Sequence, residues 1–157
     1  ERQRANHTLS RVYLALAEGH WTNQSKSGLI DRPIEKVPEC FNRYQVADTG
    51  RPSRTEYEVL SEFTYTETPF SLVRLKLQTG RTHQIRVHMA SLSHPLLGDS
   101  IYGHEGFLGF DRAALHSFEI TCQLPGHQDL AVFSSEMPED FQKMIAESKK
   151  LSSTLIW

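Results

Sequence analysis

The 157-residue chain is long enough for one domain with a sizeable core, and its 38% hydrophobic and 23% charged content argues against both disorder and a membrane span. No apolar run approaches bilayer-spanning length, and two cysteines, Cys40 and Cys122, make neither a disulfide framework nor a zinc ribbon, so a cytoplasmic location without membrane contact is expected. The net charge of −2 conceals an asymmetry: residues 1–90 carry 13 Lys/Arg against 10 Asp/Glu, and residues 91–157 carry 4 against 9, so an anion-binding face would have to be local.

In chain order, SRVYLALAEG alternates Val12, Leu14 and Leu16 against Arg11, Tyr13, Ala15 and Ala17, the period of a strand, and places Tyr13 beside Arg11 on the polar face, opposite the large aliphatics. HWTNQSKSG reads as a loop and LIDRPI as an edge segment, because Pro33 lacks a ladder donor. Residues 35–52 read as irregular. RTEYEVLSEFTY and FSLVRLKLQ are strands joined at TETP as a hairpin. Gly80 ends the second of these strands, Thr82 is the expected N-cap, and Ile85, Met89 and Leu92 form one buried helical stripe that stops at His94-Pro95. LHSFEITCQL, PGHQD and LAVFSS form a second hairpin, and EDFQKMIAE closes the chain with Phe141, Met144 and Ile145 on one helical face. The sum is one α+β domain over residues 1–157, a mixed, largely antiparallel sheet with a few flanking helices, expected to be monomeric.

The densest chemistry lies in LQTGRTHQIRVHMASLSHPLLGDSIYG, residues 77–103. His83 and His88 are five apart, roughly 140° around a helix, with no Glu between them, which disfavours a zinc helix. No phosphate-loop, dinucleotide or nucleophile-elbow motif is present. What remains is a strand, a glycine turn, Arg81 at the turn and Arg86 one turn into the helix. Two guanidiniums so placed could clamp phosphates or hold a carboxylate in a bidentate pair, or they could serve surface salt bridges; the residues alone leave both open.

TGRTHQIRVHMASLSHPLLGDSIYG resembles the signature of the RluA family of RNA pseudouridine synthases. The likeness continues on both sides, through RVYLALAEGHW and GLIDRPI, GRPSRTEYEVL, and LHSFEIT with LPG and AVFSSEMPEDF, and so spans nearly the whole chain in the family's order. It implies a pseudouridine synthase-like fold and isomerisation of uridine to pseudouridine in RNA through a catalytic aspartate, with no metal and no organic cofactor. Ribosomal RNA is the first expected partner and transfer RNA the second. By resemblance, Arg86 matches the arginine that pairs with that aspartate, Tyr13 the tyrosine that packs on the flipped uracil, and Ile85 an apolar residue of the base pocket. Arg81, His83 and Arg11 are candidates for RNA contact. Gly98, Asp99 and Tyr102 read as scaffold, since Gly-Asp favours a tight turn. The family's aspartate motif, H-R-L-D-x-x-T-S-G, has no counterpart here. The expectation is therefore a C-terminal portion of a catalytic domain, incomplete at its N-terminus and inactive alone. The alternative is a catalytically silent RNA-binding relative that keeps the base pocket.

Overall fold

A computed structural model of the protein describes residues 9–154. The chain forms β1 (Ser10–Glu18), β2 (Ser27–Asp31), β3 (Ile34–Lys36), β4 (Tyr44–Val46), β5 (Arg54–Tyr65), β6 (Thr68–Leu77), α1 (Gln84–Ser91), a single 3-10 turn (Phe107–Gly109), β7 (Leu115–Gln123), β8 (Leu130–Ser134) and α2 (Glu139–Thr154). Six strands make one sheet in the order β2-β5-β6-β1-β7-β8, with every neighbouring pair antiparallel, and β3 with β4 makes a separate two-stranded ribbon. The α+β class and the largely antiparallel sheet expected from the sequence are what the chain adopts.

The strand-period segments fold as strands because each has an apolar face to bury. β5 and β6 join through Thr66 and Glu67, both at positive φ (43° and 67°), as a two-residue hairpin requires. β2 is an edge strand that ends before Pro33, consistent with the missing donor there. Residues 35–52, expected to be irregular, instead contain β4 and most of β3, paired through Ile34–Val46, Glu35–Gln45 and Lys36–Tyr44.

Both faces of the sheet are covered. On one side Leu14 and Leu16 join Phe70, Leu72, Leu97 and Phe110 beneath α2, whose Phe141 and Met144 complete the cluster. On the other, Ala15 and Ala17 join Val73, Leu75, Trp21 and Leu96 beneath Ile85 and Met89 of α1. A fully buried aliphatic side chain contributes about 1.5–3 kcal/mol, so these two clusters supply most of the driving force. The expectation that Tyr13 lies on a polar face is corrected: its side of β1 is the α1 side, and Tyr13 packs half-buried against the second cluster. The alanines at 15 and 17 are small because a helix lies over them. Trp21, inside the segment read as a loop, is 1% exposed and stacks between Tyr57 (5.0 Å) and His94 (4.1 Å).

Candidate functional site

The helix α1 starts one residue later than its expected cap. His83 stands at the cap position with φ 56° and makes no side-chain cap bond; Thr82 is exposed and does not cap the helix. Gln84, the first helical residue, instead ties down the turn that leads into the helix: its Oε1 accepts from the Arg81 N–H (3.0 Å) and the Thr79 hydroxyl (2.8 Å). Its Nε2 donates to the Arg54 carbonyl and to Thr55 Oγ1, both at 2.9 Å. One buried carboxamide thus fixes the turn before α1 to the start of β5 and the end of β6, with both its oxygen and its nitrogen hydrogen-bonded, as a buried amide favours.

Two turns of chemistry hang on this anchor. Arg86, the third residue of α1, donates from Nε to Asp99 Oδ2 and from Nη2 to Asp99 Oδ1, both at 2.7 Å, a bidentate pair. The carboxylate is fully buried, while 18% of the arginine side chain reaches solvent. Asp99 Oδ1 also accepts the backbone N–H groups of Ile101 (3.0 Å) and Tyr102 (3.1 Å). Burial is the largest influence on Asp99 and pushes its pKa up, but Arg86 and the two N–H donors together outweigh it and hold the carboxyl below its ordinary value. Hydrogen bonding to Asp99 raises the Arg86 pKa. The Arg86 guanidinium sits 5.1 Å from the Tyr102 ring centroid, a cation–π contact. Its Nη1 makes no hydrogen bond among the described residues, so part of the fork is open to another acceptor.

Tyr102 is tied in turn. Its Oη accepts the Tyr44 N–H (2.9 Å) and lies 2.9 Å from His83 Nδ1, with the His83 ring edge-on to both Tyr102 and Tyr44 at 5.6 Å. Burial first, then the Arg86 charge, lowers the His83 pKa, which favours the neutral imidazole in this contact.

The sequence-predicted residues fall into two groups. Ile85 (4% exposed) and Tyr13 share the second core cluster, and Arg86 follows Ile85 on the helix. Arg81 lies at the turn with its Nε near the Pro52 carbonyl (3.4 Å). Arg11, at the start of β1, donates to the Thr79 carbonyl (3.0 Å) and fills the space beside Gly80, where a Cβ would lie 2.7 Å from its guanidinium. The open backbone at Gly80 therefore accommodates Arg11. Asp99 and Tyr102, read as scaffold, turn out to hold Arg86, and Tyr44 was not singled out at all. The signal that could have found Asp99 is the acid in Gly-Asp, a buried anion needing a cation.

A second buried network bears on pH. His88 is fully buried; its Nε2 donates to the Arg32 carbonyl (2.9 Å) and its Nδ1 accepts from Thr55 Oγ1 (2.9 Å). Burial lowers its pKa from the ordinary 6.5. The unfolded chain therefore takes up a proton before the folded one, so stability is full above about pH 6.5 and falls as the medium is acidified below it, by up to about 1.4 kcal/mol per pH unit for this group. Urea denaturation at pH 7.5 and 5.5 should show that loss, and His88→Gln should flatten the profile by about one proton.

The family model for RNA pseudouridylate synthase matches residues 1–91, through the end of α1. The chain is 35% identical to ribosomal large subunit pseudouridine synthase D of Nitrosomonas europaea, over 96% of this chain and 44% of that protein. It is 38% identical to the uncharacterized RNA pseudouridine synthase YhcT of Bacillus subtilis, over 92% of this chain and 46% of that one. The solved structure of human RNA pseudouridylate synthase domain containing 1 superimposes with a TM-score of 0.70 at 25% identity, covering 94% of this chain and 69% of the human one. The chain belongs to the RNA pseudouridylate synthase family, in its RluA branch. It spans about half the length of the curated relatives it matches.

Proposed function

We propose that the chain is the C-terminal portion of the catalytic domain of an RNA pseudouridine synthase, and that it holds the target uridine while sequence outside these residues supplies the aspartate. In the reaction the bond from uracil N1 to ribose C1′ breaks, the base turns, C5 bonds to C1′, and the C5 proton leaves to solvent as N1 takes one up. The base must be out of its stack to do this. Tyr13 offers a ring face for the extruded uracil and Ile85 an apolar wall, while Arg11, Arg81 and His83 border the RNA.

The observation that carries the reading is the Arg86 fork: Asp99 fixes two of its donors and leaves Nη1 unbonded among the described residues. A guanidinium oriented in advance can receive a second carboxylate without reorganising, keeping that carboxylate ionised and aimed. The names of the relatives favour ribosomal RNA as substrate.

The test uses the complete reading frame with a large-subunit ribosomal RNA transcript labelled with tritium at uracil C5, release of which counts pseudouridine formed. Arg86→Ala should lower turnover by about 100-fold or more per folded molecule. Tyr13→Leu should be the second sensitive change, and Cys40→Ser should leave the rate alone. Wild-type turnover in Arg86→Ala would remove the assigned role. No release by the unaltered enzyme on any RNA would favour a silent RNA-binding relative.

A further inference from the structure

A cavity of about 510 Å³ lies between the β3–β4 ribbon and the turn before α1, bordered by Lys36, Tyr44, Arg51, Arg81 and Thr82. Three separate segments each contribute a basic residue to its border: Lys36 from β3, Arg51 from the loop after β4, and Arg81 from the turn. None of the three is ion-paired among the described residues, whereas Arg54, Arg86 and Arg112 each have a carboxylate partner. Three cations against one bordering carboxylate, Glu35, leave an excess of positive charge that an anion arriving from outside would relieve.

Glu35 offsets only part of that charge, being one carboxylate against three cations. Strand alternation sets Lys36 and Tyr44 on one face of the ribbon and Glu35 with Gln45 on the other. The Glu35 oxygens already accept from Gln45 Nε2 (3.1 Å) and Thr49 Oγ1 (2.7 Å).

The turn between β3 and β4 holds Phe41, which is 95% exposed and has Lys36 Nζ 6.0 Å from its ring centroid. A phenyl ring almost wholly in water beside a cation is the pairing that receives a stacked base and its phosphate. The ribbon is also fixed in place: the Tyr44 N–H reaches Tyr102, and Ile34 and Arg51 exchange both backbone hydrogen bonds (3.0 and 2.8 Å). A strand seated on the ribbon would therefore lie against the residues that hold Arg86.

We infer that the β3–β4 ribbon is a second RNA-binding element, its cavity taking a phosphodiester on Arg51, Arg81 and Lys36 and Phe41 stacking on an unpaired base of the same strand. This rests on RNA being the substrate, and it adds where the strand beside the target uridine runs. An open π-face at the turn selects single-stranded RNA, since bases within a duplex are already stacked.

The test is anisotropy of a fluorescein-labelled oligouridylate of about a dozen nucleotides, titrated with the full 157-residue chain at several salt concentrations. The double variant Arg51→Gln/Arg81→Gln should bind about ten-fold more weakly and lower the log–log salt slope by about 0.7 per contact removed. Phe41→Ala should weaken binding about five-fold with the salt slope unchanged. Lys143→Gln, on α2 across the sheet, should bind like wild type. Wild-type affinity in both the double variant and Phe41→Ala, at unchanged melting temperature, overturns the inference. Tritium release by the complete enzyme would then still stand, so the two failures are separable. Displacement of the RNA by polyglutamate at equal charge concentration would also overturn it, marking the ribbon as a docking face for an acidic protein.

Discussion

Arg86→Ala is expected to destabilise the chain by about 3–5 kcal/mol, a melting temperature lowered by about 10 °C for a domain of this size. The cost comes less from the arginine than from what it leaves behind. Asp99 is fully buried, and without the guanidinium its carboxylate keeps only the N–H groups of Ile101 and Tyr102. The sign of its pH response should reverse with the substitution. In the unaltered chain its pKa lies below the ordinary 3.8, so its contribution is present above that value and lost in acid. In Arg86→Ala burial prevails and the folded pKa rises above the unfolded one. The variant then does best at low pH and weakens as pH rises through the folded value. Adding Asp99→Asn to Arg86→Ala removes the stranded charge while keeping an acceptor for the two N–H groups, and should recover at least about 1 kcal/mol. Equal stability of single and double variants across pH would mean that Asp99 is not held by Arg86. Because the arginine reaches solvent and the aspartate does not, Asp99→Asn alone should cost less than Arg86→Ala.

That asymmetry also marks what local sequence patterns can and cannot carry. β1, the β5–β6 hairpin, the Ile85–Met89–Leu92 stripe, the β7–β8 hairpin and the apolar face of α2 were legible because each is written in residues two to seven apart. Ribbon strands of three residues have too few positions to show a period, so β4 and most of β3 passed as irregular chain. Thr82 has a good capping side chain, yet it caps nothing; the turn is held instead by Gln84, whose partners Arg54 and Thr55 come from a strand some 30 residues earlier. Tyr13 was put on the polar side of β1 because alanine beside leucine mimics amphipathic alternation. In a sheet covered on both faces, the small residues mark where α1 approaches. At the site, Gly-Asp correctly predicted a turn, but the use of its carboxylate by Arg86, 13 residues away, depends on the path of the chain between them. Arg86, Tyr13 and Ile85 came from family resemblance, and the structure adds the buried partners that fix Arg86.

Gly98→Ala should be nearly as damaging as the loss of Arg86, at about 2–5 kcal/mol, and for a reason that reaches the same carboxylate. Gly98 has φ +67°, where an L side chain costs about 1–2 kcal/mol. A Cβ there would also lie 2.5 Å from the carbonyl oxygens of both Phe110 and Arg112, which adds an overpacking cost of about 1–3 kcal/mol. Neither side can yield easily. Leu97 donates to the Leu16 carbonyl (2.9 Å) and accepts from the Ala114 N–H (2.8 Å), so the segment is sewn between β1 and the strand-ward end of the 110–114 loop. Any shift that relieved the clash would move Asp99, the next residue, away from Arg86. Gly106 provides the comparison, since it has φ +68° and a methyl group added there would meet nothing within 4 Å. Gly106→Ala should therefore cost only the backbone part, about 1–2 kcal/mol. In urea denaturation of the two variants, the excess loss in Gly98→Ala measures the crowding around the carboxylate. Equal losses would show that residues 97–99 can shift without strain, and that the geometry presenting Arg86 is softer than its hydrogen bonds imply.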